Sequence, residues 1–483
     1  MRAGAVLAAV AVALPLAAVP AAASPAIDWR PCPITQVPDK QCGSLAVADP
    51  AGTVTIELTR LPARDRANRV GVLLTNPGGP GGSGVDTVGF GGLGIATPEF
   101  GVVRDRFDII GWDPRGVGHS KPAVTCDPAT LYRPGRNFFP RTKAEYDRLA
   151  MQNRAAGEDC LARTGPLLDR VDTGNAADDI EDIRVALGEE KINWLGLSYG
   201  TELGAVYASK YPQRVRAMVL DGAADHGRPT RQVILEEAAA GEQALNRFAA
   251  WCAGAADCAL RGRDVLADHD RLMAQAEAGR LPSSALDRPV TAEEASAGVY
   301  GLLGIKGAWP VLSQALAKAT DAQPDAKDLT AATVFGHPSY AAYRAVGCHD
   351  FPAPFIGAAD MRITGDLMKA VAPRTWRYVE FWDFTAGCVG WPVRPGNPPQ
   401  DHPIKGTGPI LVASTTHDPA TPLAWARGLA GTIENSALLI AEADGHTATY
   451  NSACARSREA EYLVSGNVPA DLRCREQAGQ VAR

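Results

Sequence analysis

Ser198 lies in the run Gly196-Leu197-Ser198-Tyr199-Gly200, between a continuous apolar stretch, 192 to 197, and a helical pattern over 201 to 211. Strand, tight turn and helix in that order form an elbow that lifts a hydroxyl out of the core. The serine occupies a strained turn, and side chains two positions away on either side would collide, so both flanks are glycine. The pattern predicts a nucleophilic serine.

A serine hydroxyl is a weak nucleophile until a base takes its proton, and an elbow of this kind places the acid and then the base later in the chain. Of eight histidines, His446 in "EADGHTATY" alone follows the last predicted strand. His119, His226, His269, His337, His349, His402 and His417 are expected at the surface or in turns. Asp418 in "STTHDPATP" is the expected acid; Asp221, just past "VRAMVL", is its rival and is expected instead to brace a turn. An oxyanion needs two preorganised N–H donors. Tyr199 supplies one, and the Gly-rich "LLTNPGGPGGSG" supplies the other, through Gly79 with Gly78 the near alternative. That loop lacks the Lys-Ser/Thr ending of a phosphate cradle. In "GWDPRGVGHS", Asp113 and Arg115 are expected to pair and shape the neighbouring loop.

These residues need a frame, and short apolar runs bounded by Gly, Pro and Asp supply it: 53–61, 70–75, 107–112, 192–197, 215–222, 409–414 and 436–443. The later runs are nearly continuous in apolar residues, as buried parallel strands are. Helical patterns lie between them, such as 176–188, with Thr173 as cap and Gly188 as stop. Alternation of this kind implies a parallel sheet covered on both faces. It lapses from about Ala224 to Lys405, where the chain is Ala-rich and helical, then rich in Pro and Trp, and it resumes at Pro409. The expected fold is therefore α/β, of the α/β-hydrolase type, with a mostly parallel sheet. Residues 24–224 and 405–483 form the core, and 225–404 form an inserted, mainly helical cap.

The chain has 483 residues and a net charge of −6, with no block of like charge, which speaks against nucleic acid or an anionic membrane as partner. Arg2, an apolar run broken by Pro15, and small residues to Ala23 have the layout of a secretory signal peptide over 1–23. No Cys precedes Cys32, which argues against a lipid anchor. Export favours disulfides, and the ten cysteines are expected to pair as neighbours: Cys32 with Cys42, Cys126 with Cys160, Cys252 with Cys258, Cys348 with Cys388, and Cys454 with Cys474. Short Cys or His repeats of the zinc-binding kind are missing, so neither metal nor cofactor is expected.

Taken together, "NPGGPGGSG", "DPRGVGHS", "GLSYG", "HDPATP" and "GHT", in that order, resemble the secreted tripeptidyl aminopeptidases of actinobacteria, which belong with the prolyl aminopeptidases among α/β-hydrolase serine peptidases. The resemblance implies Ser198 as nucleophile, Asp418 as acid, His446 as base, and Gly79 with Tyr199 as oxyanion hole. It also implies a helical cap, and it supports Cys348 pairing with Cys388 through "AVGCHD" and "GCVGWP". Peptides with a free N-terminus would be the substrates. Prolyl aminopeptidases carry His before the Gly-Gly-Pro-Gly run, whereas this chain has Asn76-Pro77, which favours the tripeptidyl group. A free ammonium calls for a carboxylate near the acyl site. Asp350, Glu236 and Glu237 are the candidates. Glu202, behind the nucleophile, is an unexpected charge, either solvated or paired with a base. The reading is a secreted serine exopeptidase that removes short peptides, by resemblance tripeptides. A secreted carboxylesterase could use the same triad. An inactive extracellular binding protein on this fold is disfavoured by the intact triad.

Overall fold

The computed structural model describes residues 27–32, 39–331, 335 and 337–475; the expected leader over 1–23 lies outside them. All seven apolar runs form strands, β3 (Gly52–Leu61), β4 (Gly71–Asn76), β5 (Phe107–Trp112), β6 (Ile192–Leu197), β7 (Val215–Asp221), β8 (Ile410–His417) and β9 (Ser436–Asp444). Three more complete a single sheet in the order β1-β2-β3-β5-β4-β6-β7-β8-β9-β10: β1 (Arg30–Pro31), β2 (Gln41–Asp49) and β10 (Arg473–Arg475). From β5 to β10 neighbouring strands run parallel, while β1, β2 and β3 add an antiparallel edge.

The three unforeseen strands are short or weakly apolar. In β2 the residues Gly43, Ser44, Ala46 and Ala48 have little intrinsic strand preference, and the strand forms because it pairs along its whole length with β3. The edges are tied down covalently: Cys32–Cys42 joins the start of β2 to the β1 side, and Cys454–Cys474 joins β10 to the helix Ala453–Ser465. All five expected disulfides are present.

Every residue of β4 and of β6 is buried, so both faces of the sheet must be covered. Because side chains alternate along a strand, Val72, Leu74 and Trp194 enter one apolar cluster and Leu73, Leu195 and Leu197 the other. Among the described residues, eight α-helices lie between β7 and β8, beginning with Thr230–Gly254 and ending with Glu380–Gly387. The earlier ones build a separate cluster around Leu245, Phe248, Leu272 and Leu316, closed by Cys252–Cys258. The later ones pack on the first sheet cluster through Tyr343, Trp382 and Phe384.

One cap differs from expectation. The helix before β6 runs Thr173–Ala186, and Asp172 caps it by accepting from Asn175 N, because Thr173 is already the first helical residue. Among the described residues no helix is long and apolar enough to cross a membrane.

Candidate active site

At the end of β6, Ser198 has φ 56° and ψ −128°, a conformation that costs a residue with a side chain on the order of 1–3 kcal/mol. Its surroundings hold it there. Ser198 N donates to Asp221 O at 2.9 Å, and Thr201 N donates to Ser198 O at 2.8 Å. A Cβ on Gly196 would run into the carbonyl oxygen of Gly200, and one on Gly200 would lie 2.7 Å from Asn76 O. The elbow thus needs both glycines.

Asp418 follows β8 and His446 follows β9, and since those strands are parallel neighbours their C-terminal ends bring the two side chains together. His446 Nδ1 lies 2.9 Å from each oxygen of Asp418. The carboxylate is buried and also accepts from Ala420 N, Thr421 N, Thr421 Oγ1 and Thr447 N, at 2.8 to 3.0 Å. Thr421 Oγ1 is a further 3.2 Å from His446 Nδ1. Burial works against a charged imidazole, yet Asp418, with Glu380 and Asp221 behind it, raises His446 above the ordinary histidine value. Ser198 Oγ and His446 Nε2 are not hydrogen-bonded, and such bonds commonly close only around substrate.

Asp221 does not touch His446. Its two oxygens accept from Ala448 N at 2.8 Å and Thr449 N at 2.6 Å, so it braces the turn just after His446. Between the two candidate glycine donors, Gly78 N is spent on Asn76 Oδ1 at 2.9 Å. Gly79 N and Tyr199 N have no acceptor among the described residues, Tyr199 because a first helical residue has no carbonyl to reach.

Asp113 and Arg115 do not pair with each other. Asp113 accepts from Ser83 Oγ, Val85 N and His119 N, which stitches the Gly-rich loop to the end of β5. Arg115 is buried and needs its own anions; it forms a two-pronged contact with Asp179 and a third bond to Asp49. Histidines expected at the surface are also partly misplaced: His226, His269 and His349 are buried. His349 is held by backbone, its Nε2 on Leu168 O and its Nδ1 accepting from Gly396 N.

Each of the three proposed ammonium partners already serves protein donors. Asp350 accepts from Thr173 Oγ1 and Tyr199 OH. Glu236 is held by Arg228, Gln232 and Trp425 Nε1. Glu237 accepts from Tyr300 OH, Glu380 N and Phe381 N, and burial, with Glu380 adding to it, pushes it up to about 8.

A further acid whose charge reaches the site is Glu380, at the start of the helix Glu380–Gly387. It is near enough for its charge to act on His446, sits beside Tyr343, and is pushed up to about 7, chiefly by burial. The buried Tyr343 hydroxyl works against that rise, favouring the charged form of Glu380. The one sequence signal for Glu380 was a lone acid inside the aromatic run Tyr378-Val379-Glu380-Phe381-Trp382. Glu202 is 1% exposed and paired, with His226 Nδ1 at 2.9 Å and His402 Nε2 at 3.2 Å.

Residues 71–453 match the family model described as alpha/beta hydrolase fold. Serine protease Hip1 of Mycobacterium tuberculosis is 31% identical, over 92% of this chain and 89% of its own. The tripeptidyl aminopeptidase of Streptomyces coelicolor is 32% identical, over 95% of this chain and 87% of its own. Carboxylesterase B of Mycobacterium tuberculosis is also 32% identical, over 93% and 90%.

Proposed function

The chain belongs to the α/β-hydrolase family, as a serine hydrolase related to the tripeptidyl aminopeptidases, and from that premise we propose that it is an exported exopeptidase releasing short peptides, tripeptides by kinship, from free N-termini. Ser198 Oγ attacks the scissile carbonyl carbon while His446 Nε2 takes its proton. Asp418 holds the Nδ1–H and the orientation of the ring. Gly79 N–H and Tyr199 N–H bind the oxyanion. His446 then returns the proton to the leaving amine, and a water activated by the same ring hydrolyses the acyl-enzyme. Residues 225–404 act as the cap over this site. Among its contacts with the core, His446 N donates to Gly304 O at 2.6 Å and Lys306 N to Asn451 Oδ1 at 2.8 Å.

The observation that carries the peptidase reading is Glu380, a carboxylate of the cap near enough for its charge to act on His446. A free N-terminal ammonium is its natural counter-charge. An acyl ester has no group for it. Five disulfides support an oxidising, extracytoplasmic setting. The competing reading is a carboxylesterase, favoured by the relative of that name.

The test is mass spectrometry of a peptide mixture, half of it N-acetylated, with Ser198→Ala as control. Fragments from free N-termini alone, of one length, are expected. Turnover of p-nitrophenyl esters with no peptide cut would leave the esterase.

A further inference from the structure

Behind the nucleophile, outside the machinery just described, three side chains far apart in sequence converge: Glu202, His226 and His402. Glu202 is one turn beyond Ser198 on the helix Tyr199–Lys210; His226 lies in the segment leading from β7 into the inserted helices, and His402 in the segment returning from them to β8. We propose that these three residues bind a divalent transition metal of the zinc class, which pins both connections of the cap to the nucleophile helix.

The three donor atoms are close enough together to be three corners of a metal tetrahedron. Glu202 Oε1 is 2.9 Å from His226 Nδ1 and 3.2 Å from His402 Nε2, and the two ring nitrogens are 3.3 Å apart. Zinc bound at about 2.0–2.1 Å with tetrahedral angles sets its ligands about 3.3 Å apart. Two imidazoles and one carboxylate are a zinc donor set, and they leave a fourth position for water.

The outer contacts agree. His226 Nε2 is 2.9 Å from the carbonyl oxygen of Asp350, so the proton assigned to that nitrogen leaves the Nδ1 lone pair facing the cluster. A ligating histidine ordinarily holds its other N–H in this way. The rings of His226 and His402 lie within 4° of parallel with centroids 5.5 Å apart, and the Nδ1 of one is 3.3 Å from the Nε2 of the other. Glu202 and His226 are buried, while His402 keeps 13% of its side chain exposed.

A buried carboxylate needs a cation, and the rival occupant is a proton on His226 Nδ1, giving an imidazolium–carboxylate pair. The two differ in what the protein retains. After chelator treatment, the full chain is incubated with zinc sulfate, dialysed, and assayed for metal by mass spectrometry. A cobalt-loaded sample is examined by visible absorption and X-ray absorption.

The expected result is one zinc per chain, a melting temperature raised by zinc, tetrahedral-intensity cobalt bands, and a shell of two imidazoles. His402→Ala and Glu202→Gln should each abolish all of these. Wild-type protein that keeps no zinc, or His402→Ala protein that keeps the same zinc and cobalt spectrum, overturns the proposal. If neither variant folds, the imidazole count of the wild-type cobalt protein still decides, because two are required. None of these readouts depends on Ser198 chemistry or on the peptidase reading.

Discussion

Gly78 and Ser198 touch so closely that a methyl on Gly78 would lie 2.8 Å from Ser198 Cβ and 2.5 Å from Leu197 O. Gly78 also has φ +91°, in the left-handed region that a side chain resists. The Gly-rich loop is thus pressed against the elbow, with Gly79 as the next residue. Gly78→Ala should push the loop off and lower kcat by roughly 100-fold, the scale of one lost oxyanion donor. Gly101→Ala, whose added methyl meets nothing within 4 Å, should leave kcat unchanged. Steady-state kinetics on both variants, each checked by circular dichroism, makes the comparison.

Asp418 and Asp221 should separate by the kind of damage their loss causes. Asp418→Asn keeps the shape but holds the wrong imidazole tautomer, and about a 10⁴-fold fall in kcat is expected. Asp221→Asn removes charge from an acceptor of two backbone N–H groups, and should lower the melting temperature more than it lowers kcat. Equal loss of kcat in both variants would contradict the assignment.

Glu380→Gln should discriminate between substrates. Peptides with a free N-terminus should lose about 30-fold or more in kcat/KM, the scale of an unpaired buried charge. A neutral p-nitrophenyl ester should be cut at close to the wild-type rate. A uniform loss would make Glu380 a structural residue.

The pH profile follows from the same two groups. His446 must be neutral to act as base, and Asp418 holds its pKa above the ordinary histidine value, so ester turnover should fall as pH drops through a point above about 6.5. Glu380, pushed up to about 7, must be ionised to hold an ammonium. Peptide turnover should therefore show a steeper acid limb than ester turnover, two protonations against one. In Glu380→Gln the two limbs should coincide.

Cys348–Cys388 closes a sequence separation of 40 between two inserted helices. Replacing both with Ala should cost about 4 kcal/mol by loop entropy, read as a lower urea midpoint. A midpoint unchanged from wild type would mean that packing alone holds these helices.

The strands and most of the elbow could be read from the chain because their causes are local. A continuous apolar run can only be a buried strand or helix, and Gly196 is demanded by atoms of Gly200 and Trp194, whereas Gly200 is demanded by Asn76, on another strand. The pairing of neighbouring cysteines was legible for a related reason, as partners close in sequence meet early in packing. What only the tertiary structure decided was which charge meets which. Arg115 passes over Asp113, two residues away, for Asp179 and Asp49. Asp350, Glu236 and Glu237 are held by protein donors, while the charge of Glu380 acts on His446. Glu202 meets His226 and a histidine 176 residues further on. A sequence records residue types in order, and several carboxylates of equal chemistry stand along this one. Burial selects among them, since Arg115 and His226, both buried, take the acid that the packing of distant helices and strands leaves within reach.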